Sequence, residues 1–254
     1  MRLFLRIQWL ASRLSRLIGI GHTGLWLGVF TRNQLHTIGE LFYTRQGFYW
    51  TEEWNKRGLF DWEKRALETF FAGCRSLLVA GAGGGREVIA LRRAGIEAQG
   101  FESHPELVRF ANALLAKEGM VPDVRVAPWD HCPDLNGQFD GIIVGWGAYM
   151  HIRGRTERVA FLRELRSLVG IGSPILLSFY TTSENSRYFR WVARIGGSVA
   201  RVLGREPVDV GDSLVPNYTH FFTRQRLESE LEEGHFEPLA FETLEYGHAI
   251  GRAV

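Results

Sequence analysis

The stretch Leu77-Leu78-Val79-Ala80-Gly81-Ala82-Gly83-Gly84-Gly85-Arg86-Glu87-Val88-Ile89-Ala90-Leu91 decides the fold. Four apolar residues ended by glycine have the composition of a strand buried on both faces, and helical spacing resumes from Arg86. Strand, glycine turn and helix therefore follow one another directly. Glycines at 81, 83 and 85 permit positive φ and let another group approach the backbone with no Cβ in the way, while the free amides of the following helix face the same space. A second apolar strand, Ala98-Gln99-Gly100-Phe101, follows Gly95 and ends at Glu102, which brings a carboxylate beside the turn.

Around this unit lies a chain of 254 residues, 45% hydrophobic, 23% charged and 13% aromatic, which is enough apolar material for a large core and excludes a disordered or low-complexity protein. The length fits one decorated α/β domain. A net charge of +2 implies no whole-protein attraction to nucleic acid or to an anionic surface. Cys74 and Cys132 form no CxxC pair, which excludes a disulfide scaffold and a cysteine zinc site and suits a reducing compartment. The most apolar stretch, Leu17 to Phe30, is short and broken by His22 and four glycines, so no spanning helix is expected. Arg6, Arg13 and Arg16 interrupt any signal-peptide centre, and the expected location is cytoplasmic.

Residues 1–71 read as a helical, aromatic-rich cap and residues 72–254 as the main domain. No acid occurs before Glu40, whereas Arg2, Arg6, Arg13, Arg16 and Arg32 do. Leu3, Ile7, Leu10, Leu14 and Leu17 fall on one helical face with most of the arginines opposite. The ordinary meaning of that spacing is a helix docked on the domain. The alternatives are peripheral contact of residues 1–20 with an anionic membrane, or a helix capping an apolar pocket. Phe42, Tyr43, Phe48, Tyr49, Trp50, Trp54, Phe60, Trp62, Phe70 and Phe71 crowd the next segment. Asp61 is placed to cap a helix starting at Trp62, and Tyr43 to Trp54, which shows no helical stripe, is the better candidate for a pocket wall.

Two ligand classes compete for the glycine turn. A dinucleotide fingerprint needs glycine where this chain has Arg86, which argues against a pyrophosphate. The segment from Leu77 onward resembles the class I S-adenosylmethionine-dependent methyltransferases. That resemblance implies a Rossmann-like three-layer α/β sandwich with a mostly parallel seven-stranded sheet and an antiparallel C-terminal strand. It implies S-adenosyl-L-methionine as cofactor, with Gly81, Ala82, Gly83 and Gly85 around its methionine part and Glu102, followed by Ser103, at its ribose. Asp130, after the strand Val124-Arg125-Val126, would meet the adenine, flanked by Trp129 or His131. Phe139 to Trp146 is similar to the family's fourth strand, which ends in a loop facing the sulfonium, here Gly145, Trp146 and onward to His151. One departure is Val79, where the family usually carries an acid. The amino-acid end of the cofactor is then expected to be held by Glu87 or from the aromatic segment.

The C-terminus gives an independent test. Phe236 to Thr243 and Ala249 to Val254 read as strands joined by a connection too short for a parallel crossover, so they must form an antiparallel hairpin. A doubly wound dinucleotide fold does not require one.

Residues 181–222 form an insertion on the substrate side. Its centre, Ser186 to Leu203, reads as a basic amphipathic helix weakened or kinked at Gly196-Gly197, and Asp209 to Asn217 reads as loop. Methyl transfer needs alignment and exclusion of water, and aromatic faces tolerate a cationic sulfur. Where the acceptor needs a base, His151 is the first candidate, because its pKa lies near neutrality, followed by His220 and Tyr180. A nucleic-acid substrate is disfavoured, since no Asn/Asp-Pro-Pro-aromatic tetrad follows the fourth strand, and no clustered ligands suggest a metal. The expected partner is a small-molecule methyl acceptor, natural-product or lipid-like molecules included. The competing readings are an NAD(P)-dependent oxidoreductase and a catalytically silent cofactor-binding partner protein.

Overall fold

Short apolar runs become central strands here because helices cover both of their faces. The computed structural model describes residues 1–135 and 137–254. Its first elements are α1 (Arg2–Val29), α2 (Arg32–Arg45), a 3-10 turn at Gly47–Trp50, α3 (Glu52–Lys56) and α4 (Asp61–Phe70). The alternating part follows with β1 (Ser76–Ala80), α5 (Arg86–Arg93), β2 (Glu97–Glu102), α6 (Pro105–Lys117), β3 (Val124–Val126) and β4 (Gly141–Val144). A 3-10 turn at Ala148–His151 leads to α7 (Arg155–Ser167), β5 (Pro174–Ser178) and α8 (Arg187–Val202). The chain closes with β6 (Asp212–Leu214), β7 (Tyr218–His220), α9 (Arg224–Glu233), β8 (Phe236–Glu242) and β9 (His248–Ala253).

The main sheet has seven strands in the order β3-β2-β1-β4-β5-β9-β8. The β1 pairs with β2 and β4 are parallel, whereas β9 runs antiparallel to both β5 and β8. Successive side chains on a strand point to opposite faces, and the core divides accordingly. Leu78, Ile142 and Leu177 pack with Phe161 and Leu165 of α7 and Leu227 and Leu231 of α9. Leu77, Val79 and Ile143 pack with Ile89 of α5, Leu114 and Leu115 of α6 and Trp62 of α4. This is the expected three-layer sandwich with its antiparallel C-terminal strand. Val79 is fully buried in that second layer, so its side chain faces core and not the glycine turn.

A third cluster, with Ile20, Leu27, Leu35, Val192, Val208 and Tyr218, joins α1 and α2 to α8 and the β6–β7 hairpin. The docked-helix reading describes residues 20–29 of α1. Residues 1–18 are exposed on every side.

Three local expectations are corrected. The helix over Trp62 is capped by Glu63, whose carboxylate accepts from the Phe60 amide at 2.7 Å, so Asp61 lies inside the helix and pairs with Lys64. α8 runs unbroken through Gly196-Gly197. Gly196 is a contact, because a Cβ there would stand 2.9 Å from the Gly24 carbonyl of α1. Residues 209–217, read as loop, contain β6, one side of a hairpin, because Asp212 is buried and satisfied by Tyr218 and His220 of β7 and by the Asp209 amide.

Candidate active site

The turns after β1, β2 and β4 meet at the carboxyl ends of the strands, where an open α/β sheet forms its crevice. Gly81 and Ala82 both donate their amides to the Phe101 carbonyl at 2.9 Å, which ties the first turn to the second strand. The turn after β4 presses on it: a Cβ on Gly145 would stand 2.2 Å from the Gly81 oxygen, so only glycine fits. Glu102 projects from the tip of β2. Its Oε1 accepts from the Ser103 amide at 2.7 Å, the Ser103 hydroxyl at 2.9 Å and the His104 amide at 3.0 Å. Among the described residues its Oε2 accepts only from the Gly83 amide at 2.9 Å, and so keeps acceptor capacity toward the crevice.

A buried ion cluster fixes the cap segment to this turn. Arg86 donates to both oxygens of Glu63 at 2.7 and 2.6 Å, to Glu87 at 2.6 Å and to the Gly58 carbonyl at 3.1 Å. Its guanidinium also lies 4.3 Å from the Phe60 ring centroid. Burial pushes the Glu63 carboxyl above its ordinary range against the pull of Arg86. Glu87 Oε1 also accepts from the Trp146 amide at 3.4 Å, so the cluster reaches the turn after β4.

Two connected chambers result. The first has about 880 Å³ of space counted with its mouth, and is lined by the glycine turn, Glu87, Glu102, Ser103, Trp129 and Trp146 together with Asn55 and aromatic residues of the cap. The second, of about 580 Å³, is walled by Phe42, Phe48, Met150, Tyr180, Val215 and Tyr246, and its polar lining of Gln46, Asn217 and Thr219 carries no charge. Tyr43, Tyr49, Trp146 and His151 border both. At this junction Tyr43 Oη lies 2.9 Å from His151 Nε2, and His151 Nδ1 lies 2.7 Å from the Tyr218 carbonyl oxygen. A carbonyl only accepts, so Nδ1 carries the proton and the Nε2 lone pair accepts from the Tyr43 hydroxyl. Burial lowers the His151 pKa and raises that of Tyr43 well above its ordinary value.

Gly81, Ala82, Gly83, Glu87, Glu102, Ser103, Trp129, Trp146 and His151 thus stand around the first chamber and Tyr180 in the second. Gly85, with φ +93°, opens α5 behind the turn, and Gly145 supports Gly81 from below. Three expected residues are elsewhere. Asp130 turns away to Arg32 at 3.0 Å, in a cluster where Arg32 also meets Glu157 at 2.8 Å and Glu206 at 3.2 Å. His131 is exposed and binds Glu164 at 2.7 Å. His220 is fully buried, with Nδ1 on Asp212 at 2.7 Å and its ring against Phe222. Among the described residues, no group of three or more His, Cys, Asp or Glu is placed to hold a metal.

Sequence reading missed Tyr43 as the partner of His151, Asn55 against the glycine turn, and Tyr246. Tyr43 lay inside the aromatic segment singled out as a wall. Nothing local marks Asn55, whose amide donates to the Tyr49 and Thr51 carbonyls at 2.9 Å each.

No protein-family model matches the chain, and no curated protein matches its sequence. Solved structures do match. An S-adenosylmethionine-dependent methyltransferase from Methanosarcina mazei superposes with a TM-score of 0.61 at 16% identity, over 78% of this chain and 99% of its own. A 1,6-didemethyltoxoflavin-N1-methyltransferase from Burkholderia thailandensis, solved with its substrate and S-adenosylhomocysteine, gives 0.60 at 15% identity, over 89% and 92%. A sugar N-methyltransferase from Streptoalloteichus gives 0.56 at 15% identity, over 84% and 91%. The chain shares the fold of these proteins.

Proposed function

We propose that the chain is an S-adenosylmethionine-dependent methyltransferase acting on a small, uncharged acceptor. The observation that carries this reading is Glu102, oriented by four donors and open toward a glycine turn in a crevice that leads to an uncharged aromatic chamber. The cofactor's groups find counterparts in the chain. Glu102 has acceptor capacity for ribose hydroxyls, and Trp129 has a buried indole N–H with no partner. With Asp130 committed to Arg32, Trp129 and Ser103 are the residues proposed for the adenine. Glu87, beside Trp146, is proposed for the cationic amino-acid end that Val79 cannot serve. When bound, the cofactor supplies an electrophilic methyl on a sulfonium.

The chain's own residues then do three things. Trp146, Tyr49 and Trp54 line the crevice, where aromatic rings suit a sulfonium and exclude water. The second chamber holds the acceptor by ring contacts, while Gln46, Asn217 and Thr219 orient its polar groups. The acceptor O–H or N–H proton passes to the Tyr43 oxygen as the Tyr43 proton passes to Nε2 of His151. That leaves an imidazolium stabilised by its hydrogen bond to the Tyr218 carbonyl. Neighbours of this fold named for small acceptors, a toxoflavin precursor and a sugar, support a small-molecule class.

Ultraviolet crosslinking of methyl-labelled S-adenosylmethionine, followed by peptide mapping, tests the reading. Label is expected in peptides spanning 81–87 and 102–107, displaced by excess S-adenosylhomocysteine. Label confined to other peptides, or insensitive to competitor, would contradict it.

A further inference from the structure

The uncovered part of α1 has a chemistry of its own. Residues 1–18 make a helix of about 27 Å at 1.5 Å per residue. Leu3, Ile7, Leu10, Leu14 and Leu17 are between 56% and 71% exposed, values that would waste five large apolar side chains if water were their only neighbour. At about 100° per residue, these five with Phe4, Ala11 and Ile18 occupy an arc of roughly 140°. Arg2, Arg6, Arg13 and Arg16 gather on another arc with Trp9, whose ring lies 4.6 Å from the Arg13 guanidinium, and no acid precedes Glu40. No helix among the described residues is long and apolar enough to cross a membrane, so a helix of this pattern lies along a surface.

This segment is anchored by close helix packing. Gly24 and Gly28 sit against Val192, Ile195 and Gly196 of α8, where a Cβ on Gly28 would stand 2.5 Å from the Gly196 carbonyl. The contacts advance together along both helices, so α1 runs parallel to α8 and carries residues 1–18 past its start. α8 adds exposed Arg187, Arg190, Arg194 and Arg201, with no acid between Glu184 and Glu206. The positive field therefore continues onto the element that holds the projecting helix.

We propose that residues 1–18 are a docking helix for an anionic lipid bilayer, with the leucine arc in the acyl boundary and the arginines at the headgroups. Charge complementarity chooses this occupant. An arginine-bearing helix without acids repels a second copy of itself, whereas an anionic leaflet attracts each arginine by roughly fivefold in partitioning. The start of α8, past which residues 1–18 project, lies near the second chamber. Phe189 of α8 packs on Phe221 at 5.0 Å, and Phe221 packs on Tyr180 of the chamber wall at 5.4 Å. If the methyltransferase reading holds, this geometry favours an acceptor dissolved in the bilayer.

The test is co-sedimentation of the full chain with vesicles of phosphatidylcholine alone and of phosphatidylcholine mixed with phosphatidylglycerol. The wild type is compared with Leu10→Glu/Leu14→Glu and with Arg2→Gln/Arg6→Gln/Arg13→Gln/Arg16→Gln. Binding only to the anionic vesicles, weakened by salt, abolished by the first variant and lowered more than about a hundredfold by the second, is expected. Because residues 1–18 are all exposed, both variants are expected to melt as the wild type does. Absence of vesicle binding, equal binding to both vesicle types, or dimers that the leucine variant dissolves would each overturn the proposal. The vesicle readout needs no methyl transfer, so it fails or succeeds independently of the proposed activity.

Discussion

Replacing Arg86 by Met leaves a hydrophobic side chain of similar length among two buried carboxylates. The side chains of Arg86, Glu63 and Glu87 are 4%, 2% and 5% exposed, so water cannot take over the lost bonds. Breaking a buried ion cluster by removing one partner costs about 3–5 kcal/mol, and for a chain of this length each kcal/mol lowers Tm by about 2 °C. The expected fall is therefore about 6–10 °C by differential scanning fluorimetry at pH 8. The sign of its pH dependence follows from Glu63. Its folded-state pKa is already raised by burial and rises further without Arg86. A raised carboxyl contributes stability below its unfolded pKa and loses it as pH climbs through the folded value, so the deficit relative to wild type narrows toward pH 5. Adding Glu63→Gln should restore part of the loss at pH 8. A drop under about 2 °C, or one of equal size at both pH values, would refute the argument that uncompensated buried charge sets the cost.

Tyr43→Phe and His151→Gln are each expected to lower kcat by about 10²- to 10⁴-fold with S-adenosylhomocysteine affinity within about twofold of wild type, because neither side chain holds the cofactor in the proposed arrangement; parallel loss of affinity would remove them from the acid–base role. Burial lowers the pKa of His36, His151 and His220 below 6.5, in His220 with help from Arg158. Their neutral forms therefore contribute stability above pH 6.5 that is lost as pH falls toward the folded values, and Tm should decline from pH 6.5 to about 5. Gly145→Ala forces the loops after β1 and β4 apart; it should cost about 1–3 kcal/mol and weaken S-adenosylhomocysteine binding at least tenfold in a fluorescence titration, whereas unchanged affinity would mean that the Gly81 contact does not shape the crevice.

What the sequence disclosed was what neighbouring residues decide. The run from Leu77 to Leu91 reads correctly as strand, turn and helix, because apolar burial, glycine and helical spacing are all local. The short link at 243–247 likewise allows only an antiparallel β8–β9 pair. What stayed hidden depends on partners far along the chain. Asp130 stands where an adenine acceptor is expected, but Arg32, which also holds Glu157 and Glu206, draws it away. Asp212 looks like a turn residue until Tyr218 and His220 enclose it. The two glycines of α8 read as a weakness, and Gly196 instead lets α1 pack closely against α8. The pairing of Tyr43 with His151 joins a cap helix to the turn after β4, which no spacing rule reveals.

The central claim is that the crevice at Glu102 binds S-adenosylmethionine. Isothermal titration of the full chain with S-adenosylhomocysteine, beside NADH and NADPH and with Glu102→Ala as control, tests it most directly. The account predicts binding of S-adenosylhomocysteine alone, weakened at least tenfold by the substitution, since hydrogen bonds to a charged acceptor contribute about 1.5–3 kcal/mol each. Binding of a nicotinamide cofactor instead, or affinity for S-adenosylhomocysteine that ignores Glu102, would contradict it.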